Sequence, residues 1–179
     1  MGGEMFNNLI QIGTITEVDA QNRALVRVQI HERVTDFFPY KMIASSHMRT
    51  WTPPRVGEQV IVLSPYGEGD EGVVIGSIFN IDQKEPTGAN DHTSIIEFED
   101  GTVITYDTAA KALTINASGS VAITAPSGIT VTANTAITGN VTINGNLTVS
   151  GSITDEKGSL STHVHGGVMS GPANTGARP

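Results

Sequence analysis

ALTINASGSVAITAPSGITVTANTAITGNVTINGNLTVSGSITDEKGSLSTHVH, residues 112–165, is the stretch from which the fold can be read. Apolar pairs two residues apart, Leu113/Ile115, Val121/Ile123, Ile129/Val131, Val141/Ile143 and Leu147/Val149, sit between Gly, Asn, Ser and Pro breakers. Alternation of this kind marks short, half-buried strands. Their starts recur about every eight residues from Leu113 to Ile137 and about every six from Val141 to Ile153, the self-similarity of a β-solenoid or β-prism. A strand of three or four residues spans roughly 10–14 Å and is marginal alone.

No charged residue occurs from Ala112 to Thr154, and the positions between the apolar ones are mostly Thr, Ser and Asn. Exposed strand edges are normally blunted by Lys, Pro or bulges, yet this stretch offers only Pro126. The edges are therefore expected to be paired, each short strand with copies from other chains, in sheets that close around an axis. Three chains make a triangular prism with Leu, Ile and Val inside, an intertwined homotrimer. A single-chain left-handed hexapeptide helix needs three such strands per coil, and this segment would supply only two or three coils, too few to bury a core.

Composition narrows the function classes. The 179 residues are 38% hydrophobic and 5% aromatic, and no segment of useful length shows helical periodicity. The net charge of −8 opposes a phosphate-binding surface, because nucleic-acid affinity comes from Lys and Arg releasing counterions. Absence of Cys removes disulfides and Cys-based metal sites. Neither an eighteen-residue apolar run nor a charged-then-apolar leader is present, which predicts a chain made as a soluble cytoplasmic product. Met1-Gly2 is no myristoylation start, since Phe6 stands where Ser or Thr is needed.

Residues 1–8 read as an N-terminal extension. Between 9 and 80 the chain predicts five short strands and no large helix, a small closed barrel of the OB type. Its strands are Leu9–Ile15 and Leu25–Ile30, joined as a hairpin through Asp19–Arg23, then Tyr40–Ala44, Glu58–Leu63 and Gly72–Asn80. OB barrels often bind single-stranded nucleic acid on aromatic platforms, for which Phe37, Phe38, Tyr40, Trp51 and Tyr66 are candidates. Six Lys or Arg against nine Asp or Glu in residues 1–80 decide against that and assign these aromatics to packing. The acidic turn Gly67–Gly72 reads as a solvated hairpin tip rather than a calcium loop. Residues 81–93 form a polar linker. The segment 94–159 then holds a hairpin, with Asp100-Gly101 at its turn, followed by the prism.

His163 and His165 are the candidate metal ligands. Two apart on an extended strand, both imidazoles point the same way. One chain offers two nitrogens; a threefold assembly offers six converging on the axis. Zinc prefers four ligands, whereas imidazole also suits iron and nickel, so iron is the preferred ion for a six-nitrogen cage. The pair ends the neutral repeat and precedes Gly166-Gly167, Gly171-Pro172 and Gly176, which lets the segment 160–179 fold back over the axis. His31, His47 and His92 have no partner at ligand spacing.

At these residues the sequence resembles the central spike, or baseplate assembly protein V, family of contractile-tailed phages and the related R-type bacteriocins. The resemblance is carried by Gly13–Ile30, Trp51–Pro65, Gly72–Gly76, Phe98–Tyr106 and His163-Val164-His165, in that order along nearly the whole chain. It implies a trimeric membrane-piercing needle in a virion tail baseplate or bacteriocin particle. The OB barrels would attach to tail tube and baseplate hub proteins, a triple-stranded β-helix would form the shaft, and the histidine pair would bind one iron per trimer at the apex, which meets the host outer membrane.

Two rival classes fare worse. An enzyme of the glycosidase type needs two positioned carboxylates in a cleft, and Glu97, Glu99 and Asp100 are the only cluster near the place where some spike relatives carry a lysozyme domain. They lie on a hairpin with no room for an inserted domain, and neither a Gly-x-Ser-x-Gly elbow nor a Cys nucleophile occurs. A receptor-binding fibre would need a recognition head, for which residues 166–179 are too few.

Overall fold

The computed structural model describes residues 8–65 and 70–156 and the backbone of 158–159. It is all-β, with no helix among the described residues, and divides into two units, Met1–Ile123 and Thr124–Pro179.

The first unit begins with a barrel. Strand β1 (Ile10–Val18) is long enough to serve two neighbours: its first half pairs with β5 (Gln59–Leu63) and its second half with β2 (Leu25–Ile30). The strand must bend between the two, and Gly13 stands at the crossover. A Cβ there would lie 2.5 Å from Val28 Cγ1 and 2.6 Å from the Gln29 carbonyl oxygen, so only glycine lets the backbones approach. The Asp19–Arg23 connection is held by Asp19 Oδ1, which accepts the Gln21 and Asn22 N–H groups at 2.7 and 3.2 Å.

The third barrel position differs from the expected Tyr40–Ala44 strand. The free edge of β2 is covered instead by two short pieces, β3 (Arg33–Val34) and β4 (Phe38–Pro39). Thr35 bridges the interruption between them. Its hydroxyl accepts the Val28 N–H at 3.0 Å and donates to the Asp36 carbonyl at 2.7 Å, replacing ladder contacts that the bend removes. Pro39, which has no N–H, ends the strand. Tyr40 then bridges in parallel to Val74 of β6 (Val73–Ser77), which also pairs with β5, and the barrel closes.

Inward positions of these strands form one core of Ile15, Val26, Val28, Ile30, Phe38, Val60, Val62 and Val74, with Val18 and Tyr40 packed against it. Each such side chain contributes about 1.5–3 kcal/mol by leaving water. Phe38 and Tyr40 are therefore packing residues, as expected for the aromatics, and Phe37 lies 4.6 Å beneath the Arg27 guanidinium. Trp51 is the exception, half-exposed on the β4–β5 connection, and Tyr66 and the first half of the acidic turn, residues 67–69, fall outside the described residues.

Residues 81–92 carry no strand. Asn80 and Asn90 side chains accept nearby backbone N–H groups at 2.8 Å, giving an ordered run of turns. A three-stranded antiparallel meander follows: β7 (Thr93–Glu97), β8 (Val103–Asp107) and β9 (Ala112–Asn116). The Asp100-Gly101 turn lies where expected, with Gly101 at φ +84°. However, Leu113 and Ile115, read as the first pair of the repeat, belong to β9 and pair within the chain.

From 117 to 153 no strand forms, although the alternation predicts several. Every Ile, Leu and Val from Val121 to Ile153 is at least 43% exposed, the value for Val149, and Ile123 reaches 72%. Nor do these residues coil into a single-chain solenoid. Among its described residues the second unit adds only the hairpin of β10 (Thr154–Asp155) and β11 (Gly158–Ser159).

Candidate functional site

The meander is the element from which the C-terminal half departs, and its two faces are unlike. Residues opposite one another in an antiparallel pair share a face. The registers Ile96–Ile104–Ile115 and Ser94–Tyr106–Leu113 gather four aliphatic side chains and one aromatic on one side. Thr105, Thr114, Asn116, Glu97 and Asp107 occupy the other, with Ile95 and Val103. The apolar side is the more exposed: Leu113 64%, Ile96 and Ile115 56% each. Alternation of this quality normally places such a face in a core; no described residue of the chain covers it.

The tip of the hairpin meets the barrel. Arg55, following the stiff Pro53-Pro54 pair, donates from one NH2 group to both carboxylate oxygens of Glu99 at 3.1 and 2.9 Å. Glu97 Oε2 accepts the Thr87 N–H at 3.0 Å. Asp100 accepts the Thr102 N–H at 2.9 Å, the Ser118 hydroxyl at 2.8 Å and the Thr102 hydroxyl at 3.2 Å. These bonds, the Thr102 amide foremost, hold its carboxyl below the ordinary value of 3.8. The carboxylates that an enzyme would need are thus structural: one ion-paired, one closing the linker, one stabilised as the anion inside a turn. A general acid requires the opposite shift.

The Arg55–Glu99 pairing joins residues 44 apart and has no local sequence signal; only the fold brings them together. The apolar face of the meander did have a signal, the matched parity of Ile96, Ile104 and Ile115, which appears once the register is known.

His163 and His165 lie outside the described residues. Among the described residues no group of three His, Cys, Asp or Glu side chains converges as a metal site, and His31, His47 and His92 are all exposed.

Comparison with known proteins adds three findings. Residues 11–79 match the Type VI secretion system/phage-baseplate injector OB domain, the segment that closes as the barrel. Residues 159–177 match the GpV apex motif and contain both histidines. The chain is also 37% identical over 127 residues to the spike protein of Escherichia phage P2; the aligned part covers 66% of this chain and 59% of the relative's length. An all-β chain with an injector-type OB barrel at one end and an apex motif at the other defines the class, a spike of an injection apparatus. The OB-domain match, the apex match and the phage relative together support a member of the baseplate spike family, a family of structural spike proteins.

Proposed function

We propose that three copies of this chain assemble into the central spike of a contractile tail, carried in a virion tail baseplate or bacteriocin particle, and that the spike pierces the host outer membrane. The observation that carries the reading is the run from Val121 to Ile153: uncharged, regularly alternating, and with every branched aliphatic side chain exposed in the single chain. Burial of that surface needs partners of the same pattern. Two further copies supply it, in register, and also supply the strand-ladder hydrogen bonds that residues 117–153 do not make within the chain.

In this reading residues 94–159 form a triple-stranded β-helical shaft and residues 160–179 its apex. The barrel, which has a complete core of its own, is the natural attachment point to tail tube and hub proteins. A shaft whose hydrogen bonds cross between chains resists buckling under axial load. Its neutral flanks lower the cost of entering lipid, where one charged residue costs about 2.5–3.5 kcal/mol.

The donor set at the apex fits iron. His163 and His165 give two neutral nitrogen donors per chain and six per trimer, and no Cys or paired carboxylate of the motif competes. Tying three chain ends at the point of load prevents fraying. Replacing both histidines by Ala is expected to leave a trimer that has lost its metal and kills or infects less well. Full activity in a metal-free double variant would remove the mechanical role of the ion.

A further inference from the structure

We infer that the β7–β9 meander is the collar that selects three chains and sets their register, and that the shaft downstream follows it rather than directing assembly. The inference rests on the trimeric spike reading and assigns the assembly surface within it.

Four observations carry it. Beyond the barrel, the meander is the only sheet of more than two strands among the described residues. Its three strands are already paired along their length within one chain, so much of the entropy of ordering them is met before the chains meet. Its apolar face of Ile96, Ile104, Tyr106, Leu113 and Ile115 is open, and no charged residue lies on it. In a chain of net charge −8, copies repel except through a neutral surface, which favours like faces meeting there over contact through the Glu97 and Asp107 side.

The shaft is poorly suited to the same task. Its apolar pairs are nearly interchangeable from repeat to repeat, so a slip by one repeat restores almost the same contacts. The collar face is not periodic: Tyr106 and Leu113 in one row and Ile96, Ile104 and Ile115 in the next occur once each, so a shifted copy meets different side chains. β9 then runs directly into the neutral segment, so three collars packed face to face deliver three shafts already aligned.

The test refolds full-length chains from denaturant and follows trimer formation by native mass spectrometry. Amide protection of Val60 and Val62 reports separately that the barrel has folded. Ile104→Asn, at the centre of the collar face, is expected to slow trimer formation on the order of tenfold with the barrel intact, because substitutions in a nucleus act on the forward rate. Ile137→Asn in the shaft is expected to leave that rate near wild type. Equal rates, or a slower Ile137→Asn chain, would overturn the inference. A second measurement does not depend on a damaging substitution: wild type is refolded together with a chain carrying a second copy of residues 121–128. A collar that chooses partners gives mixed trimers in statistical proportion; self-sorting by shaft length would overturn it. If the wild-type chain forms no trimer under any condition, the spike reading itself fails, a result distinct from either of these.

Discussion

Thr35 shows how much of this fold depends on single side-chain atoms. It is 1% exposed, and its hydroxyl both accepts from Val28 and donates to Asp36, in the gap where the β2 edge changes partner from β3 to β4. Thr35→Val keeps the shape and removes both bonds, leaving the buried Val28 N–H unsatisfied. We expect a loss of about 1–3 kcal/mol in barrel stability, read from the urea midpoint, with Thr35→Ser much milder. A Val variant as stable as wild type would mean that the hydroxyl is not what holds the bend. Nothing in the local sequence Arg33-Val34-Thr35-Asp36-Phe37 announces that role. The alternation breaks at the bulge, and a broken alternation reads as a loop. That is why the third strand was expected at Tyr40–Ala44, where only isolated bridges form. Gly13 is similar: the residue is visible, but the contact that requires it, with Val28 and Gln29, depends on a long-range pairing.

At the level of elements, legibility follows how local the determinants are. The β1–β2 and β7–β8 hairpins were readable because strand alternation and turn chemistry lie within a few residues of one another. The third strand of the meander was not, because Leu113/Ile115 carries the same pattern as every later pair in the repeat; only pairing with Val103–Asp107 separates it. The Asp100 turn of the β7–β8 hairpin is tied through Thr102 and Ser118 to the segment that follows β9. Its folded-state carboxyl is depressed below 3.8, so its stabilisation is present in full above the unfolded value and is lost as pH falls through the lower folded value. Thermal unfolding should therefore show wild type above Asp100→Ala at pH 7, with the gap narrowing in acid below the ordinary carboxylate range. A gap unchanged at pH 2.5 would show that the turn is held by geometry and not by the charge.

Across the whole molecule the barrel and the C-terminal stretch obey different rules. The barrel is self-sufficient, with eight buried apolar side chains from five strands in one chain. From Val121 to Ile153 the chain carries the hydrophobic pattern of a core, and no described residue buries it. That deficit was legible in the sequence as alternation without charge, and the single chain displays it as exposed Ile, Leu and Val where strands were expected. Both candidate ligands, His163 and His165, fall within residues 159–177, the part of the sequence that matches the apex motif. Histidine ligation makes the bound ion acid-labile, since the imidazoles, with an ordinary pKa of about 6.5, must stay neutral to hold it. Everything at this scale turns on three chains sharing one metal. Native mass spectrometry of the untagged full-length protein at neutral pH, with elemental analysis of the same sample, reads both numbers at once. One species of three chains carrying one iron is the expected result, whereas a metal-free monomer, or one ion per chain, would refute the shared apex and the trimer built around it.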